Sequence, residues 1–133
     1  MTVFDFTKEK EGVWFDMEDG GRVQLKTLKP IDWIEIRKAT IEKIPFIKKI
    51  EKKYQLFERE VTDEDLQMQM IYDITIIAWE KLFDGEEKPI PCTKENKTSL
   101  MLMQDPRFRD FVNEKISILG GIETEQKETS EKN

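Results

Sequence analysis

One thiol, one run of acids and one run of bases are the side chains whose types and spacing invite chemistry. Cys92 opens the segment Cys92-Thr93-Lys94-Glu95-Asn96-Lys97, where Thr93 has the hydroxyl of a helix N-cap. A thiol beside a helix N-terminus can be activated as a nucleophile. The chain has no histidine to act as its base, and Cys92 is its only cysteine, so a structural cysteine is the better reading. Asp63, Glu64 and Asp65 offer oxygen ligands to a hard cation. They lack the alternating ligands and central glycine of a calcium loop, and acids in a first helical turn already complement the helix dipole. Arg37, Lys38, Lys43, Lys48, Lys49, Lys52 and Lys53, set against Glu42 and Glu51, leave residues 37–53 with a net +5. A solvated polar face on two amphipathic helices accounts for them. Aromatic residues are not interleaved as a base-stacking platform requires.

Six methionines are present, among them Met68, Met70, Met101 and Met103. Thioether side chains fill irregular cores and also recur at adaptable binding surfaces. Their place on two helical segments suggests an apolar groove for a partner helix. Trp33 and Trp79 are core anchors first and interface residues second.

The composition limits what these residues can serve. At 133 residues the chain is expected to form one domain, residues 1–121, with a single core. Its formal charge, 22 − 28 = −6, argues against general nucleic-acid binding. One cysteine and no histidine exclude an intrachain disulfide and a Cys/His zinc site, and no cofactor is expected. No apolar run approaches the roughly 20 residues that cross a bilayer. The start of the chain does not read as a signal peptide. A cytoplasmic, non-enzymatic protein is the expectation.

The fold class expected is mainly α, a helical bundle-like domain with an N-terminal β-hairpin. Phe4 and Phe6 are candidate anchors of a charged arm. Val13 to Leu28 alternates around Asp19-Gly20-Gly21 and predicts the hairpin, about residues 13–28. Helices are expected over about residues 30–119. Pro30 suits a first helical turn, and Pro45 interrupts the helix behind it. Phe46/Ile47, Ile50, Tyr54 and Phe57 recur at steps of three and four, which predicts a second helix. From about Asp63 to Phe83 the spacing predicts a central helix with stripes along Met68, Tyr72, Ile76, Trp79, Phe83 and along Leu66, Met70, Ile74, Ile77. Asp105-Pro106 starts the last helix, with Phe108, Phe111, Val112, Ile116 and Leu119 on its apolar face and Gly120-Gly121 at its end. Residues 122–133 read as a disordered acidic tail.

The order Trp79, Asp84-Gly85, Pro91-Cys92-Thr93, Glu95-Asn96-Lys97, Asp105-Pro106 and Phe108-x-x-Phe111-Val112 resembles the tail assembly chaperones of long-tailed bacteriophages or their prophage relatives. The match is clearest over residues 79–119. It covers Trp79, Gly85, Pro91, Thr93, Glu95, Asn96, Pro106, Phe108 and Phe111. The resemblance implies a small protein of the host cytoplasm, absent from the mature virion. Such a protein binds the tape measure protein and keeps it soluble during tail assembly. Many members also exist in a longer, frameshifted form that contacts the tail tube protein. The family has no catalytic, metal or cofactor residues to carry over. The expected partner surface is Met68, Met70, Trp79, Met101 and Met103, with homo-oligomerisation multiplying weak sites. The alternative reading is a minor virion structural or head–tail connector protein. Neither reading involves nucleic acid or membrane.

Overall fold

The computed structural model describes residue 2 and residues 12–131, with side chains through residue 121. Its elements run β1 (Val13–Asp16), β2 (Arg22–Leu25), α1 (Pro30–Thr40), β3 (Ile41–Ile50), β4 (Lys53–Thr62), α2 (Glu64–Thr75), β5 (Ile76–Glu80), α3 (Lys94–Leu102) and α4 (Arg107–Glu131). The helical-bundle expectation is overturned. With 42% of residues in helices and 32% in strands, arranged as two antiparallel sheets, the chain is mixed α/β. The candidate anchors Phe4 and Phe6 lie outside the described residues.

The first sheet has the strand order β1-β2-β5. β1 and β2 form a hairpin whose turn places Gly20 at φ +100°, where a side chain would be strained. β5 occupies what the sequence suggested was the second half of a central helix. α2 stops at Thr75, whose hydroxyl donates to the Ile71 carbonyl, and the next residues pair antiparallel with β2. The β-branched run Ile74-Thr75-Ile76-Ile77 favours that change. A register shift between Gln24 and Leu25 gives β5 one extra residue, so that Leu25 faces Ile76 and Val23 faces Trp79. The bulge explains how Ile76 and Trp79, three apart, both turn into the core; in a regular strand they would face opposite ways.

The core lies between this sheet and the last two helices. Val23 and Leu25 from β2, Ile76 and Trp79 from β5, Met101 from α3, and Phe108, Val112 and Leu119 from α4 form one buried cluster. The rings of Trp79 and Phe108 meet edge-to-face at 5.9 Å. α1 begins with Pro30 at its first turn, and the Asp32 carboxylate accepts from the Lys29 backbone N–H at 2.9 Å. Ile36 is its fully buried residue. α4 passes through Gly120-Gly121 without stopping there. The expected tail, 122–133, has its side chains outside the described residues, and the backbone of α4 reaches Glu131.

The second sheet replaces the two helices expected between Ile41 and Phe57. β3 and β4 pair over ten residues each, Ile41 with Thr62 through Ile50 with Lys53. The loop is only Glu51-Lys52, at φ 51° and 69°. Both residues are left-handed, as a type I′ hairpin turn requires. Pro45 is tolerated because it can place its missing donor on the outer edge of β3. This turn yields a prediction. Glu51→Asn together with Lys52→Gly should stabilise the ribbon by about 1–2 kcal/mol, since non-glycine left-handed residues are strained. Hydrogen exchange at the Phe46 and Phe57 amides should then slow roughly 5–30-fold. Unchanged exchange would show that the turn is not strained in this way.

Candidate functional site

The residues of the Trp79–Phe111 motif come together around one loop. Trp79 Nε1 donates to the Ile90 carbonyl at 2.7 Å, which pins the loop 81–93 to the sheet. The Asp84 carboxylate accepts from the backbone N–H groups of Glu86 and Lys88, closing the turn that contains Gly85. Asn96 Nδ2 donates to the Pro91 carbonyl at 2.9 Å. Thr93 caps α3, accepting from the Asn96 N–H, and Glu95 sits in the first turn at the positive end of the dipole. The Pro106 carbonyl accepts from Asp110 as α4 begins. Phe108 is buried against Trp79, and Phe111 packs on the edge of the same cluster.

The chemistry-bearing residues are committed to structure. Cys92 is exposed as a residue, but its sulfur turns toward the Ile77 carbonyl at 4.0 Å. Partial desolvation there pushes its thiol pKa up despite the nearby Lys97 cation. A raised pKa leaves less thiolate at neutral pH and works against nucleophilic use. Asp63 is the N-cap of α2, accepting from the Leu66 N–H at 3.1 Å, and Glu64 and Asp65 follow in its first turn. Among the described residues no group of three or more carboxylates or thiols is gathered as a metal site. No helix among them is long and apolar enough to cross a membrane. Lys97 was not singled out by its sequence position, yet it is 7% exposed. Its Nζ donates to the carboxylate and the backbone carbonyl of Asp73, at 3.0 and 3.1 Å. That pair ties α3 to α2.

The five residues expected at a partner surface separate. Met101 and Trp79 are core side chains and are not available to a partner in this fold. Met68 and Met70 are half-buried on α2. Met103, just past the end of α3, is exposed and lines a surface groove of ≈ 460 Å³. Met17, Leu82, Phe83, Ile90, Leu100 and Phe108 line the same groove, bringing together the β1–β2 turn, the loop after β5 and both ends of the α3–α4 connection. Phe83 is more than half exposed there. Arg107 donates to Asp105 from its side chain at 2.8 Å and from its backbone N–H at 3.1 Å. These bonds hold the Asp105 carboxyl below its ordinary pKa, so this part of the rim stays ionised into the acid range. The sequence hides the groove, because its spacing places Leu82 and Phe83 at the end of one long helix, with Phe83 on an apolar stripe. The chain instead leaves β5 at Glu80, and both residues lie in the loop behind it.

The second exposed apolar region is the ribbon. Residues of β3 and β4 face solvent on both sides, with Ile47, Tyr54 and Leu56 at 69%, 74% and 72% exposure. Phe46 stacks on Phe57 across the strands at 5.6 Å. Among the described residues the main support of the ribbon outside itself is the end of α1, from which it springs. The bases assigned to helical faces, Lys48, Lys49, Lys52 and Lys53, instead sit around its tip. Comparison of the chain with protein-family models, with curated proteins and with solved structures finds no match.

Proposed function

We propose that this protein is a non-enzymatic assembly chaperone of the phage-tail type, which binds the tape measure protein and keeps it soluble in the host cytoplasm. The single observation that supports the reading is the open apolar groove around Phe83 and Met103, built on the same loop and helix starts that resemble the family. Its lining of methionine, leucine and phenylalanine suits the apolar stripe of an amphipathic client helix. A rim that carries both signs, Lys81 and Arg107 with Asp19 and Asp105, tolerates the mixed charges that flank such a stripe. The client is a long chain with many similar stripes, so weak contacts at each suffice and release remains easy.

Co-expression with the tape measure protein of the same genome tests this reading. The client's soluble fraction should rise several-fold and co-elute with the chaperone. Met103→Glu and Phe83→Glu, both at exposed positions, should abolish that rise while leaving the chaperone folded. If the client's solubility does not change and nothing co-elutes, the chaperone reading fails. Recovery of the protein in stoichiometric amounts from mature particles would favour a minor virion or connector role instead.

A further inference from the structure

Among the described residues the ribbon Ile41–Thr62 has two unpaired edges, and they are not equivalent. A two-residue loop makes Ile50–Lys53 the hydrogen-bonded closing pair, and bonded and unbonded pairs alternate from there. Pro45–Glu58 therefore falls on an unbonded pair, which agrees with proline having no N–H to give. The outer edge of β3 lacks a donor at Pro45 and is blunted against further pairing. The outer edge of β4 keeps its donors, on Tyr54, Leu56, Glu58 and Glu60. A two-stranded ribbon alone is marginal in water, and this one exposes large apolar side chains on both faces.

We propose that the free edge of β4 pairs antiparallel with β4 of a second copy of this chain, making a four-stranded sheet from two ribbons. A two-fold axis normal to the sheet allows only registers in which paired residues have the same parity. Overlap and charge together select among them: centring outside residues 56–60 pairs at most five residues of β4, and charge decides among the rest. Pairing centred on Leu56 sets Arg59 opposite Lys53 of the other copy. Centring on Glu58, Arg59 or Glu60 sets each against its own like charge. Centring on Phe57 avoids all of these and overlaps β4 from Lys53 to Val61. It then places Gln55 opposite Arg59 and Tyr54 opposite Glu60, and it puts the two Phe57 rings together at the dyad. The stacked Phe46–Phe57 pair of each ribbon joins in one aromatic row. The outward donors fall on the bonded pairs of this register, as a regular ladder demands.

This inference goes beyond the client reading, and neither depends on the other. Sedimentation equilibrium of the full chain should show a dimer. Glu58→Pro removes one outward donor, in mirror image of Pro45, and should give a monomer that keeps the ribbon's internal exchange protection. In a Cys92→Ser background, Phe57→Cys should form a disulfide-linked dimer on mild oxidation. Unbonded partners lie about 4.5 Å apart at Cα, within disulfide range. Gln55→Cys and Arg59→Cys, which face each other's unmodified partner, should cross-link far less. A wild-type monomer at 100-fold dilution and at stock concentration alike, or equal cross-linking at all three positions, would overturn the proposal. A dimer unaffected by Glu58→Pro would overturn it too.

Discussion

Trp79→Ala should destabilise the protein by about 3–5 kcal/mol, the range for removing a large aromatic side chain from a packed core. Three losses coincide at that position. The ring is 8% exposed and sits among Val23, Met101 and Phe108 in the central cluster. Its edge-to-face contact with Phe108 adds about 0.5–1.5 kcal/mol beyond burial in comparable pairs. Its Nε1–H is the donor that satisfies the Ile90 carbonyl, so the loop that lines the groove loses its tie to the sheet. A domain of this size has a total stability of about 5–15 kcal/mol, so the variant is expected to unfold at much lower urea. Far-UV circular dichroism is the suitable probe, because Trp14 and Trp33 would still dominate fluorescence. Trp79→Phe separates the contributions. It keeps most of the packing but orphans the carbonyl, which should cost about 1–3 kcal/mol. Equal costs for the two variants would mean that ring packing contributes little, contrary to the geometry.

The residues that organise this site were legible where local chemistry fixes them. Thr93 reads as a cap and caps α3, and Asp63 does the same for α2. Gly20 sits in the turn between two alternating strands. Legibility failed where the helical and strand periods coincide. Ile76 and Trp79 are three apart, as on a helix face, and only the bulge opposite Leu25 lets a strand turn both inward. Phe46, Ile50, Tyr54 and Phe57 also match a helical spacing. In the ribbon Phe46 and Phe57 share one face because they are cross-strand partners, a relation that sequence spacing does not display. The ribbon's turn is Glu51-Lys52, with no glycine or asparagine to announce it. Composition did hold a clue, since β-branched and aromatic residues crowd 41–61 in a way that favours strands. The partner surface was misjudged for a related reason. Met101 and Met103 are two apart, which places them on different sides of the end of α3, one in the core and one in the groove.

Lys97→Glu should be the most damaging change outside the apolar core, costing about 3–5 kcal/mol at neutral pH, as for a buried charge left without its partner. The native pair is itself of modest worth. Lys97 is buried, but the Asp73 side chain is 44% exposed, so water screens their attraction and can solvate Asp73 if the lysine leaves. Lys97→Met keeps the aliphatic stem in place and should cost only about 1 kcal/mol. Charge reversal differs because it adds a second carboxylate beside Asp73, where burial and repulsion both oppose ionisation. The introduced carboxyl would have a folded-state pKa above its unfolded value of about 4.3. The sign follows from linkage. Its penalty is full at pH values above the raised folded pKa, declines as pH falls through that pKa, and is least once pH drops below the unfolded value. Stability of the variant relative to Lys97→Met should therefore rise steadily from neutral pH toward pH 5, measured by urea denaturation at each pH. A difference between the two that stays constant over that range would mean that the position is open to water and that Lys97 does not hold α3 to α2 as the 3.0 Å contact indicates.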